Sequence, residues 1–551
     1  MLSLTPLTTH NRTAPTALVR RPDGRQFYLH SRVDPREEAA FLVADVPADP
    51  HALVIVAGFG LGYHVEALLA RLPPSSRVLV IESAQARLSA TAAPRGVDAA
   101  WRHDPRLDLL APHDPGVAPI HIADRMTRAH LRSVRVVPHV GSLPTAPEFY
   151  DQLLALLPQQ LPAALHQQLD LLDKMLEGDL HNFWANLSSS WNEAPVERLR
   201  GRWQGRPVVI VSGGPSLTAQ LPLLASLRAR ALILATSSTV RTLLAHDIRP
   251  DLIVSVDPYD LNLAHFVGWD GAGIPLVYYH RFHSGIPRVY TGPMTVFRMR
   301  GEPPLPLLAD ESPAFSRGGT VAFSALQLAH LLGASPVVFV GQDFAFAAGR
   351  THADGALYNE RYDEAARPAH FVRVPAVHGG LVDTTPLMHA YLQHMQDYLL
   401  QPAMTAAGTR HVNTSPTGAS IRGLIAQTLD QALGGSPELA DDPRRLMRDA
   451  LEPHTPPPPD AQRQQLDVWI DALERLLDGS EGLDAGAILD RVAGTALASA
   501  EGRGYADLRY VYDAKYRNGR HEASSLFASR LQHHFRQVLD TLRHDRGVLE
   551  S

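Results

Sequence analysis

The chain contains no cysteine, which removes disulfides, thiolate metal sites and a cysteine nucleophile from consideration. Lysine is almost absent as well. Only Lys174 and Lys515 occur, and arginine supplies the rest of the positive charge. No Gly-Lys pair exists, so a Walker-type phosphate loop is excluded. No apolar run approaches the roughly 20 residues that a bilayer crossing requires, so membrane insertion is not expected. MLSLTPLTTHNRTAPTALVRR has no basic start leading into an apolar core; it does not read as a secretory signal, and a cytoplasmic location is expected. The net charge of −6 offers no electrostatic reason to expect a nucleic-acid partner.

At 551 residues, with 45% hydrophobic and 20% charged residues, the chain is an ordinary globular protein of two to four domains. Three regions separate by pattern. Residues 1–175 read as a smaller α/β, Rossmann-like accessory domain. Residues 176–435 read as a Rossmann-like central catalytic domain with a mostly parallel sheet. Residues 445–551 read as a helical C-terminal domain, set off by prolines at 453 and 456–459. In the first region, Leu53–Ala57 runs into Gly58-Phe59-Gly60-Leu61-Gly62, and a second strand, Val78–Ile81, ends in Glu82. This order resembles the opening of a nucleotide-binding or methyltransferase-like sheet. A GxGxG run alone leaves open whether a cofactor binds or the turn is structural. Leucines from Leu153 to Leu172 repeat at helical spacing and read as connector and core. The run Tyr505-Ala506-Asp507-Leu508-Arg509-Tyr510 reads as packing within a helical bundle or as a partner contact.

The central region predicts strands at Val208–Val211, Ala231–Ala235, Leu252–Val256, Leu276–Tyr279, Thr295–Met299 and Val337–Val340, separated by helical stretches. Ligands of open α/β sheets gather beyond the carboxyl ends of the strands, and here those ends are small or polar. The first ends in Ser212, Gly213, Gly214, Pro215 and Ser216, with Pro215 suited to the first helical position. The next ends in Thr236, Ser237, Ser238 and Thr239, the third in Asp257, and the last in Gly341, Gln342 and Asp343. A second small-residue helix start comprises Ser316, Arg317, Gly318, Gly319 and Thr320. Backbone amides at both helix starts suit phosphate or carboxylate.

The ordered motifs SGGPSL, ATSSTV, DLIVSVDP, SRGGTVAFSALQLAHLLGASPVVFVGQDFAF and THADG resemble the motility accessory factor family. Its members are bacterial transferases that place nonulosonic (sialic-acid-like) sugars on flagellin serines and threonines. LHSRVDPREEA and AGFGLGYHVEALL resemble that family's first domain. GGPSL and the GGT–helix–GQD unit are more distantly similar to bacterial CMP-sialic acid transferases, and an archaeal pterin diphosphokinase has a related central domain. The resemblance implies a CMP-activated nonulosonic acid (sialic, pseudaminic or legionaminic type) as donor, flagellin as acceptor and no required cofactor.

On that reading Ser212, Gly213, Gly214, Pro215 and Ser216 cradle the nucleotide. Thr236, Ser237, Ser238 and Asp257 bind ribose or cytosine, and Ser316, Gly318, Gly319 and Thr320 hold the donor phosphate or carboxylate. Asp343 orients the sugar or a histidine. The base is His352 or His378, with His280 third. Tyrosine does not follow Asp343 as in the sialyltransferases, so Arg350, Arg317, Tyr278 or Tyr279 would grip the leaving group. Asp257, Asp343 and Asp354 equally suit Mg²⁺ or sugar hydroxyls. Alternatives are a diphosphokinase using ATP and Mg²⁺, a non-catalytic flagellin-binding factor, and methyl transfer by the first domain through Gly58, Gly60 and Glu82.

Overall fold

The computed structural model describes all residues except 1, 11–13, 50–51, 75, 84–103, 105, 111, 113–114, 120–121, 123–132, 270, 272, 301, 303–304, 308–313, 317, 348, 359–370, 402–403, 405–407, 453–455, 502–504, 506–507, 509–511, 513–520 and 550–551. The chain divides into two compact units, Met1–Leu172 and Asp173–Ser551. The division falls within the helix Pro147–Ser190.

The first unit opens with an antiparallel meander of β1 (Ser3–Thr8), β2 (Pro15–Arg20) and β3 (Gln26–Tyr28). Four parallel strands follow: β4 (Ala52–Ala57), β5 (Arg77–Ile81), β6 (Leu107–Leu110) and β7 (Ser133–Pro138). Their order in the sheet is β6-β5-β4-β7. All six residues of β4 are buried, as expected of a strand covered on both faces. Leu53 and Ile55 face a core containing Tyr150, Leu153 and Leu157, while Val54 and Val56 face another with Val65, Leu68 and Leu69. That alternation follows from the two-residue period of a strand.

The second unit is built on nine parallel strands. They are β8 (Val208–Val211), β9 (Leu232–Thr236), β10 (Leu252–Ser255), β11 (Leu276–Tyr279), β12 (Met294–Met299), β13 (Ala314–Phe315), β14 (Val337–Val340), β17 (His411–Asn413) and β18 (Ile425–Ala426). A separate antiparallel hairpin is formed by β15 (Val372–Pro375) and β16 (Leu381–Thr384). The large sheet has the order β13-β12-β11-β10-β9-β8-β14-β17-β18. The expected α/β, Rossmann-like class is therefore seen. The sheet is parallel at every pairing, and its three short strands β13, β17 and β18 were not anticipated.

The helix Val321–Leu331, buried along almost its whole length, carries the chain from the edge strand β13 back across β10, β9 and β8 to β14. Val208, Ile210, Leu232 and Leu234 pack with it in one core. The helix Pro443–Leu451 adds Met447, Ala450 and Leu451 to that same core. The later helices Pro459–Asp478, Ala485–Ala493, Ala496–Glu501 and His521–Val548 belong to the same compact unit, where Trp469 meets Trp184 and Trp191. Tyr505 is buried and accepts from Trp184 Nε1 at 3.0 Å, which is a bundle contact; Tyr510 lies outside the described residues. Among the described residues no helix is long and apolar enough to cross a membrane.

One buried acid dominates the support beneath β11. Glu193 Oε1 accepts from Tyr278 Oη at 2.8 Å, and its other oxygen has no partner. Burial pushes its pKa from 4.5 up to about 8. Between those values the folded chain holds a proton that the unfolded chain releases, so this group's contribution to stability declines as pH rises. Glu193→Gln should flatten that part of the pH dependence and raise stability at pH 8, by roughly 1–4 kcal/mol, as measured by urea denaturation of both proteins at pH 5 and pH 8.

Candidate functional site

Strands 8 to 13 step outward in one direction, and the chain then returns to place β14 on the other side of β8. Such a reversal of strand order opens a crevice at the carboxyl ends of the two flanking strands. Both flanking turns carry the singled-out residues. Gly214 N donates to Gly341 O and Ser212 Oγ to Gln342 Oε1, each at 2.8 Å. Ser216 N donates to Asp343 Oδ2 at 2.8 Å. The hydroxyl of Ser415, in the loop after β17, donates to the other Asp343 oxygen and lies 3.1 Å from Ser216 Oγ. A Cβ on Gly214 would stand 2.4 Å from both Asp343 Oδ2 and Gly341 O, which explains that glycine.

Two expectations change at this turn. The helix begins at Leu217, with Ser216 as a cap whose side chain makes no hydrogen bond to the helix's own amides, so Pro215 precedes it rather than opening it. The amides of Gly214 and Ser216 are occupied by a carbonyl and by the Asp343 carboxylate, so they are not the phosphate donors expected of them. Asp343 itself fills the anion position at this helix start. Asp343 is 2% exposed; burial raises its pKa, opposed by the bonds from Ser415 and Ser216. Phe344, which follows it, has a φ of 49°, a conformation seldom adopted by a bulky residue. It is held there by Thr384 Oγ1, which donates to Phe344 O at 2.7 Å. Asp343 is thus a clamp on the loops.

The rim of the crevice carries the groups that remain accessible. Ala353 N donates to Gly213 O at 2.9 Å and Asp354 N to Thr218 Oγ1 at 2.9 Å, which ties the 351–355 loop across the first turn. A Cβ on Gly213 would lie 3.6 Å from both His352 Cδ2 and Ser238 Oγ. His352, Gly213 and Ser238 therefore meet, and all three are partly exposed. His352 Nδ1 lies 2.9 Å from Thr351 Oγ1, and its ring meets Tyr358 edge-on with centroids 5.7 Å apart. Thr236 and Thr239 direct their hydroxyls to Val211 O, at 3.1 and 3.3 Å, and Ser237 is buried; these residues fix the end of β9.

Asp257, just past β10, differs from Asp343. Its backbone carbonyl is bonded to Asn262 and His283, but among the described residues its carboxylate has no hydrogen-bond or ion-pair partner. Burial alone pushes its pKa from 3.8 up to about 6. A half-buried, unpaired carboxylate at a strand end is poised for proton transfer near neutral pH or for a bound ligand. His265, buried, is brought down to about 4 by burial, Arg241 and His352; it is a neutral member of this neighbourhood that no sequence motif marked. Ser415 was missed for the same reason.

The second glycine turn is packed. A Cβ on Gly318 would meet the Phe323 ring at 2.0 Å, and one on Gly319 (φ +76°) the Tyr391 ring at 2.0 Å. Ser316 is pinned by Gln327 through both its N and O, at 2.7 and 2.9 Å, and Thr320 caps the helix by accepting from Phe323 N at 3.2 Å. Aromatic packing accounts for both glycines, and Arg317 lies outside the described residues. His378 sits exposed at the turn of the β15–β16 hairpin. That hairpin meets the Asp343 segment through Phe346 N to Asp383 O at 3.0 Å, and the neighbouring Val377 N bonds Gly418 O at 3.1 Å. His280 is buried and brought down to about 4 by its burial. The Tyr278 and Tyr279 hydroxyls are engaged by Glu193 and Glu302 at 2.8 and 2.6 Å, so neither is available to a leaving group. Arg350 pairs with Asp354 at the surface.

A family model described as 6-hydroxymethylpterin diphosphokinase MptE-like matches residues 181–349, which include the turns after β8, β9 and β10 and the clamp at Asp343. An uncharacterized protein of Treponema pallidum (strain Nichols) is 25% identical over 370 residues, covering 63% of this chain and 62% of that protein. The chain thus matches about three-fifths of that relative's length. A second uncharacterized protein of the same organism is 47% identical over 58 residues, 10% of this chain and 14% of its own length. Among solved structures, the MAf glycosyltransferase from Magnetospirillum magneticum AMB-1 is similar with a TM-score of 0.43 and 16% identity, over 99% of this chain and 92% of that one.

Removing the clamp should loosen all three loops together. Asp343→Ala leaves the Ser216 amide and the Ser415 hydroxyl without their acceptor, and should lower stability by about 1–3 kcal/mol. Proteolytic cutting within 351–355 should rise in parallel; both are measured on the full chain by urea denaturation and limited proteolysis.

Proposed function

We propose that the chain is a glycosyltransferase that moves a nonulosonic acid from a CMP-activated donor to a serine or threonine hydroxyl of flagellin. Two observations carry the reading: the accessible Gly213–Ser238–His352 rim at the reversal of strand order, and the half-buried, unpartnered Asp257 carboxylate past the end of β10 in the same sheet. The ordered motifs of the central region, with their resemblance to the motility accessory factor family, are what support the choice of substrate class. The donor's nucleotide would lie along the rim, with its sugar toward Asp257 and His352. In the reaction the bond from the anomeric carbon to the phosphate oxygen breaks, and CMP departs with the electron pair. The acceptor oxygen forms the new bond as its proton passes to the base. Asp257, half ionised at about pH 6, and His352 are the two groups suited to receive it, and Asp343 acts by positioning the turn.

A diphosphokinase is the second reading, favoured by the family model over 181–349. There a pterin hydroxyl would take the terminal diphosphate of ATP, AMP would leave, and Asp257 would bind Mg²⁺. Incubation of the full chain with each donor separates the two readings by release of CMP or of AMP. On the transferase reading, flagellin mass rises by one sugar or more, and Asp257→Asn lowers kcat by about 10²–10⁴-fold. Wild-type activity should fall as pH drops through about 6, where Asp257 takes up its proton. Unchanged flagellin mass with intact donor present, or full activity in Asp257→Asn, overturns it.

A further inference from the structure

The smaller sheet has its own reversal of strand order. Strands 4 to 6 step one way and β7 returns to the other side of β4. The turn after β4 is the run Gly58–Gly62, and the turn after β7 begins at His139. A nucleotide would be the usual occupant of such a crevice, but here the space is filled from within. A Cβ on Gly60 would lie 2.6 Å from His139 Cε1 and 2.7 Å from His30 Nε2, and one on Gly58 would lie 2.3 Å from Ser142 Cβ. Glu82, where a ribose ligand would be expected, is buried; it accepts from Phe59 N at 2.7 Å, from Ser83 N at 2.9 Å and from the Tyr150 hydroxyl. The glycines thus make room for histidines, which removes the basis for a methyl-donor site here.

We propose that His30, His64 and His139 form a buried site for one divalent ion of the zinc class. All three are buried, with exposures of 3%, 0% and 3%. One ring nitrogen from each lies within 4.8 Å of the others. One nitrogen of each ring is held by a fixed partner: His30 Nδ1 by Glu38 Oε2 at 3.1 Å, His64 Nε2 by Gly58 O at 3.0 Å, and His139 Nδ1 by Ser142 Oγ at 2.7 Å. A carboxylate, a carbonyl and a hydroxyl, each on one nitrogen of a ring, match the outer-shell pattern that orients metal-binding imidazoles.

Two unsatisfied ring nitrogens supply the second, independent observation. His64 Nδ1 and His139 Nε2 are buried and have no hydrogen-bond partner, an arrangement native interiors rarely tolerate without a bound ion or water. His30 Nε2 accepts from Leu61 N at 2.9 Å, a bond that coordination would displace.

Three imidazoles select zinc, cobalt, nickel or copper over magnesium or calcium, and leave a coordination position for water or an anion. The His64 and His139 rings are stacked, with centroids 4.2 Å apart and planes 10° apart. In-plane lone pairs of parallel rings do not converge, so coordination tilts one ring against the other.

The test uses the full chain, freed of any affinity tag and stripped with a chelator, then titrated with Co²⁺ and Zn²⁺. The expected result is one Co²⁺ per chain with a visible d–d absorption, displaced by Zn²⁺, and a melting temperature that rises with added Zn²⁺. His64→Ala and His139→Gln, checked for folding by circular dichroism, should bind at least tenfold more weakly. His544→Ala, far along the chain in sequence, should bind as wild type does. Absence of stoichiometric binding by the folded wild type overturns the proposal, as does equal binding in the two triad variants. Neither outcome bears on sugar transfer.

Discussion

The large unit's site depends on where one carboxylate puts its two oxygens. Asp343 reaches from the turn after β14 to the Ser216 amide before the first helix and to the Ser415 hydroxyl after β17. These partners are 127 and 72 residues away from it in sequence, and the backbone ladder alone does not fix the loops beyond the strand ends. A buried carboxylate is tolerable only where hydrogen bonds replace its water. The same bonds that make Asp343 tolerable therefore lock the three loops in register, and the position of Gly213 beside His352 and Ser238 follows from that lock. The left-handed Phe344 is a local cost of aiming the carboxylate inward.

Two aspartates at strand ends have opposite roles, and only their partners distinguish them. Asp343 is surrounded by donors and serves the fold. Asp257 is half-buried and has gained no donors among the described residues, which is why burial is the sole cause of its raised pKa. A carboxylate in that state binds a proton, a cation or a substrate hydroxyl more readily than a solvated one. The sequence shows both as an acid after a β-branched run and cannot tell them apart.

The strands that carry the sheet were legible because runs such as Val208–Val211 and Val337–Val340 are β-branched, apolar on both faces and bounded by small residues. The order of the parallel sheet follows from the helical stretches between them. The two-residue edge strands Ala314–Phe315 and Ile425–Ala426 are too short to leave a period in the sequence, so they were not. The glycine turns were legible as turns and misleading as sites. A glycine marks a place where no Cβ fits, and the sequence does not say whether a ligand or a distant side chain fills the space. At Gly319 the filler is Tyr391, and at Gly60 it is His139 and His30. Ser415 has no local signature, since its role exists only once β17 has paired with β14.

The two sheets treat the same topological feature differently. Each has a reversal of strand order, and each must settle the polar groups gathered at that crevice. In the larger sheet the settlement is internal at depth, through Asp343, and open at the rim, where Asp257 remains unpartnered among the described residues. In the smaller sheet the depth itself is unsettled, with two buried imidazole nitrogens that have no hydrogen-bond partner. A polar deficit at the rim can be relieved by water or by a substrate that comes and goes. One sealed in the interior calls for a resident occupant, which is the physical reason to assign exchangeable chemistry to the first crevice and a bound ion to the second.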